Sequence, residues 1–168
     1  MTKSTHVIVI LLMSLLISSC GFQLRGYGES ATLPEFLQTL ELNSPDPGNG
    51  VTRQLRNQLR SSDVTIIEES QDDIYQLTIG QERTQERVIS LNSSARAGEY
   101  ALSLSVTVQL QLGATTQLGP ETISIERMYL ADPNNAVAKT EEAELIMEEM
   151  QRDLASQIIN RLQSLDAP

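Results

Sequence analysis

Thirteen consecutive residues, Tyr100 to Leu112, alternate between apolar and uncharged small or polar side chains. Tyr100, Leu102, Leu104, Val106, Val108, Leu110 and Leu112 fall in one phase, and Ala101, Ser103, Ser105, Thr107, Gln109 and Gln111 in the other. A strand turns successive side chains to opposite faces, so this period of two predicts one long strand with a greasy side and a polar side. At about 3.4 Å per residue it would run roughly 40 Å, longer than most strands.

Two helical patterns can cover the greasy side. Ser44 to Gly50 holds two prolines and two glycines and reads as a loop. Asn49 can cap the helix that follows, where Val51, Leu55 and Leu59 recur every four residues and Arg53, Arg56 and Arg60 take other faces. A final helix is expected from Thr140 as N-cap, with Glu141, Glu142 and Glu144 near its positive end. Its buried stripe would be Ala143, Ile146, Met147, Met150, Leu154, Ile158 and Leu162. Further strands are expected at Phe36–Leu42, Val64–Glu68, Ile74–Arg87 and Thr122–Leu130, with Gly113–Pro120 as a turn. The fold class is therefore α+β, one domain, a mixed and mostly antiparallel sheet of four to five strands with two α-helices packed on one face.

The other face of the long strand carries Ser, Thr and Gln without charge. A face open to water often carries Lys and Glu. Two readings stand: a solvated face, or one enclosed in a wet polar site where amides and hydroxyls find partners without the desolvation cost of charge.

Near its start the chain carries Lys3, an apolar run from Val7 to Ile17, then Ser18-Ser19-Cys20. Charge, a short apolar stretch and small residues make a secretory signal, and the run is too short to span a bilayer. An aliphatic residue, two small residues and a cysteine resemble a bacterial lipoprotein signal, which implies lipidation at Cys20. Residues 1–19 are read as the signal peptide, 20–33 as a lipidated tether and 34–168 as a single α/β sandwich domain. Gly21 in place of Asp implies sorting to the outer membrane, with the domain on the periplasmic side and the lipid anchor as its membrane attachment.

Cys20 is the only cysteine and His6, inside the signal, the only histidine. The remaining domain has no imidazole and no free thiol. Zinc and softer metals lack their preferred ligands, and nucleophilic catalysis by a Ser-His or Cys pair is excluded. Adjacent acidic pairs such as Asp72-Asp73 look like charged turns, so no enzyme, metal or cofactor is expected. A net charge of −10 argues against nucleic acid.

Several ordered segments resemble the LPS-assembly lipoprotein (LptE) family. Cys20-Gly21-Phe22-Gln23-Leu24-Arg25 is similar to its mature start, and Leu55-Arg56-Asn57-Gln58-Leu59-Arg60 to its first helix. Gly98-Glu99-Tyr100 resembles the opening of its long strand. Asp132-Pro133-Asn134 and Ala136-Val137-Ala138-Lys139 resemble its last loop and helix. The resemblance implies a plug within the lumen of a large outer-membrane β-barrel partner, assisting insertion of lipopolysaccharide into the outer leaflet. Under it, Ser103, Ser105 and Thr107 would face the barrel. Lys139 matches a basic position linked to lipopolysaccharide in the family, and Arg96, Arg87 and Arg83 are further candidates for its phosphates. The rival function is an outer-membrane lipoprotein that binds peptidoglycan or a periplasmic protein.

Overall fold

The computed structural model describes residues 33–68, 71, 73–91, 97–130 and 135–166, all within one compact unit spanning residues 32–168. Cys20, Arg96 and the Asp132–Asn134 segment lie outside the described residues.

The first regular element among the described residues is a single 3-10 turn, Glu35–Leu37, closed by the Leu37 amide on the Pro34 carbonyl at 2.8 Å. Strand β1, Thr39–Asn43, follows. The strand thus starts three residues beyond the expected Phe36, whose ring instead packs on Tyr75 with centroids 5.3 Å apart. Helix α1, Gly50–Ser61, begins where Asn49 accepts a hydrogen bond from the Thr52 amide at 2.7 Å. That bond satisfies one of the orphan donors of the first turn. Val51, Leu55 and Leu59 are fully buried, as their spacing requires. Strand β2, Thr65–Ile67, returns parallel to β1.

Ile74–Arg87, expected as one strand, is two. Strand β3, Tyr75–Ile79, and strand β4, Arg83–Leu91, lie one after the other along the same edge of strand β5, Ala97–Leu112. Between them the Gly80 amide still donates to the Thr107 carbonyl at 2.7 Å. Glu82 then leaves the ladder: its carboxylate accepts from the Val51 amide at 3.2 Å and from Gln151 Nε2 at 3.0 Å. An anion at the start of α1 meets the positive end of that helix, and it ties the helix to the C-terminal one. A tertiary contact therefore accompanies the break.

Strand β6, Thr115–Leu130, pairs with β5 along its other edge. The expected turn over Gly113–Pro120 shrinks to Gly113-Ala114, with Gly113 at φ 54. The rest of that stretch is strand with a register slip. Gly119 sits in the slip at φ 75, and a Cβ there would run into the Val108 carbonyl oxygen, so only glycine fits.

The sheet runs β2-β1-β3-β5-β6, with β4 continuing the β3 line against β5. Among the described residues it has six strands, one more than the upper expectation because Ile74–Arg87 divides. Parallel pairing is confined to β2-β1-β3, and everything touching β5 is antiparallel. Helix α2, Ala136–Gln163, starts four residues before Thr140, capped by Asn135 accepting from the Ala138 amide at 3.1 Å. Its first turn holds no acidic residue, so the expected dipole stabilisation by Glu141 and Glu142 does not apply there.

The core lies between the two helices and one face of the sheet. Leu104, Val108 and Leu110 of β5 meet Leu40, Leu77 and Ile79 of the neighbouring strands. Met150, Leu154, Ile158 and Leu162 of α2 are fully buried against them, and Ala143, Ile146 and Met147 pack at its margin.

Candidate functional site: a neutral sheet face and a lysine clasp

Pairing across the sheet keeps directly opposed residues on one face, so register extends the polar phase of β5 sideways. Ser103 stands opposite Gln85 and Glu126, Ser105 opposite Arg83 and Ser124, and Thr107 opposite Thr122. Gln109 and Gln111 continue the face through Thr78, Gln76 and Thr116. The Ser103 hydroxyl donates to the Gln85 carbonyl at 3.3 Å. On the three strands around β5 the ionised members are Arg83, Arg87 and Glu126. Arg87 and Glu126 pair with each other at 3.0 Å. An ion pair this exposed is worth roughly 0–1 kcal/mol. Ser103 and Ser105 are half-buried and Thr107 exposed, on a face with neither helix over it.

The opposite face carries a different cluster at the Ala97 end of β5. Register places Glu86 against Leu102 and Tyr100 against Tyr129, on the helix side of the sheet. The two tyrosine rings stack with centroids 5.3 Å apart and planes 20° from parallel. Lys139, in the first turn of α2, lays its ammonium 3.8 Å from the Tyr100 ring centroid and donates to Glu86 Oε1 at 2.7 Å. The Tyr129 hydroxyl donates to the other oxygen, Glu86 Oε2, at 2.5 Å. One carboxylate thus takes two strong donors, and the cation finds both an anion and a π-face.

The proton affinities follow. The Lys139 and Tyr129 hydrogen bonds hold the Glu86 carboxyl below the ordinary carboxylate range. Burial, and then the bond to Glu86, push the Tyr129 hydroxyl well above its usual value. Glu86 likewise raises Lys139, so the pair stays ionised across neutral pH. Beside the clasp opens a groove of about 410 Å³ lined by Ile89, Met128, Leu130 and Ile146 with Tyr129 and two carboxylates, Glu99 of β5 and Glu142 of α2.

Of the four cations singled out in the sequence, the three described ones do not converge. Lys139 is clasped on the helix side, whereas Arg83 and Arg87 share the face of Ser105 and Ala101. Arg83 has no ion-pair partner among the described residues, and Arg96 falls outside them. Sequence reasoning missed Glu86, Tyr129 and the role of Tyr100 as a floor for Lys139. The available signal was weak: a carboxylate in the phase of β4 that a core face would fill with an apolar residue. Two further ion pairs, Arg127–Asp153 at 2.7 Å and Arg161–Glu121 at 3.2 Å, tie β6 to α2 on the same side.

The sequence model of the family described as lipopolysaccharide-assembly, LptE, matches residues 37–162. An LPS-assembly lipoprotein LptE of Pectobacterium atrosepticum is 31% identical, aligned over 100% of this chain and 97% of its own length. One from Yersinia enterocolitica is 34% identical over 94% of this chain and 76% of its own. Among solved structures, rare lipoprotein B from Shewanella oneidensis superposes with a TM-score of 0.69 at 31% identity, covering 75% of this chain and 94% of that one. Lipoprotein B from Nitrosomonas europaea shares the fold with a TM-score of 0.68 at 22% identity, covering 86% of this chain and 91% of that one.

Proposed function

The chain belongs to the lipopolysaccharide-assembly family LptE, and from that premise we propose that it is a non-enzymatic outer-membrane lipoprotein that assists lipopolysaccharide insertion while seated inside a large β-barrel partner. Acylation of Cys20 holds it at the membrane, on the periplasmic side. Anchoring through several acyl chains is effectively permanent where one chain would be marginal.

One observation carries the plug reading: a hydrogen-bonding sheet face rich in Ser, Thr and Gln that neither helix covers, on which Arg87 and Glu126 pair with each other and Arg83 is the cation without an ion-pair partner among the described residues. Barrels of this kind have polar interiors. A surface of hydroxyls and amides can exchange water for wall groups there at little cost, whereas unpaired charges would be expensive to bury. The helices lie on the other side, where the core needs them. Lys139, at the far end of the long strand, is the residue proposed to meet a lipopolysaccharide phosphate, and Arg96, outside the described residues, is proposed as a second contact. Arg83 and Arg87 lie on the opposite face, so one phosphate cannot engage them together with Lys139.

The test is co-purification of the barrel with the tagged, lipidated chain from solubilised outer membrane. Ser105→Glu with Thr107→Glu places like charges on the face and should cut barrel yield several-fold without lowering thermal stability. An unchanged yield would sink the plug reading. Recovery of peptidoglycan or a different envelope protein in place of one large barrel would favour the rival binding module.

A further inference from the structure

Resting on the reading that Lys139 meets a phosphate of the lipid, we infer that Glu86 is a resident competitor for that ammonium, which keeps headgroup binding weak enough for release. The carboxylate already occupies the place a phosphate would take: its Oε1 lies 2.7 Å from Lys139 Nζ. Tyr129 holds the other oxygen at 2.5 Å, so the carboxylate is not free to swing away. The Tyr100 ring fills a further side of the ammonium, 3.8 Å from its centroid. A phosphate must therefore either share Lys139 with an anion a few ångströms away or break two charge-assisted hydrogen bonds to displace it.

Glu142, three residues along α2 from Lys139, and Glu99 of β5 add further negative charge along the adjoining groove. A site built to retain a phosphate would surround its lysine with donors. Here its partners are an acceptor, Glu86, and the Tyr100 ring. The groove's apolar wall of Ile89, Met128, Leu130 and Ile146 stays available to the rest of the same amphiphile. Contact with the lipid is then governed by apolar surface, and the phosphate grip is held down by Glu86.

The experiment measures binding of lipopolysaccharide, and of the same material dephosphorylated, to the full lipidated chain in detergent. Removing one like charge at this range should tighten phosphorylated lipopolysaccharide roughly five-fold in Glu86→Gln. It should leave the dephosphorylated form unaltered. Glu142→Gln, outside the clasp, should act in the same direction by a smaller factor. Tyr129→Phe leaves the charge in place but removes one of the two bonds that hold the carboxylate, and should tighten the phosphorylated form by a smaller factor than Glu86→Gln. Glu86→Gln combined with Lys139→Gln should bind no better than Lys139→Gln alone.

If Glu86→Gln and Glu142→Gln leave phosphorylated lipid binding unchanged or weaker while Lys139→Gln still weakens it, Glu86 is an orienting partner and the inference fails. If Lys139→Gln has no effect on either lipid, the site reading itself fails and takes the inference with it.

Discussion

The two ends of β5 follow the same alternating pattern and meet opposite fates. Toward Leu112 the apolar phase is sealed: Val108 and Leu110 have no exposed surface, closed in by β3, β1 and both helices. Toward Ala97 the parallel strands have ended and the partners are β4 and β6 alone. There Val88, opposite Tyr100, is half exposed, and beyond buried Leu102 the clasp of Lys139, Glu86 and two tyrosines takes the place of a hydrocarbon core; Met128 and Leu130, opposite Ala101 and Glu99 in the other phase, stand mostly exposed. Roughly 40 Å of strand separates Tyr100 from Leu112. One sequence rule thus builds a rigid root at one end and a presented tip at the other, according to how many layers the tertiary fold places over it.

The largest expected effect tests the root. Leu110→Ala should cost about 2–5 kcal/mol in denaturant unfolding, because a site walled in on every side cannot collapse around the void. A loss below about 1 kcal/mol would show that the root is as loosely packed as the tip.

The caps come next. Asn49→Ala should lower global stability by about 1 kcal/mol, since α1 is buried in the root and its amide would lose a partner. Asn135→Ala should instead fray the first turn of α2 and lose less than about 0.5 kcal/mol globally, seen as faster amide exchange around Val137 to Thr140. Equal global losses at the two caps would erase the distinction between the ends.

Acid sharpens the contrast further. Glu86 has a depressed folded value, so its contribution is present above the unfolded carboxyl value of about 4.3 and fades as pH falls through the lower folded one. Lys139 is raised, so its share is complete below about 10.4 and is lost only at higher pH. Exchange protection at the start of α2 should therefore hold from about pH 5 to pH 10 and fall on acidification before that of Leu154 or Ile158 does. Simultaneous loss at both places would mean the clasp has no independent stability.

The smallest effect belongs to the tip's exposed apolar residues. Leu130→Ser should move stability by no more than about 0.5 kcal/mol. A larger loss would show that Leu130, 68% exposed, supports the fold after all.

Much of the fold was legible because its signals are local. The alternation of β5 placed Ser103, Ser105 and Thr107 on one face, and register confirms that they share it. Asn49 before a four-residue apolar repeat marked the start of α1 correctly. Thr140 was misread as the start of α2 because Asn135 lies among turn-forming residues, and only the course of the chain shows which polar residue caps. Gly119 looked like a turn residue and is a bulge residue, since glycine serves both uses and the neighbour at Val108 decides.

The candidate site divides in the same way. From sequence alone came the uncharged phase of β5 and the two helices opposite it, while Lys139 was singled out by the resemblance to the family. Periodicity and side-chain chemistry are properties of neighbouring residues, and they survive whatever the chain does elsewhere. Tertiary structure alone decided that Ile74–Arg87 would break so that Glu82 could bind both helices, that Arg87 would face away from Lys139, and that Glu86 would meet a lysine 53 positions along the chain. Such meetings depend on strand order and register. Those are settled by the packing of the whole core, which no short stretch of sequence contains.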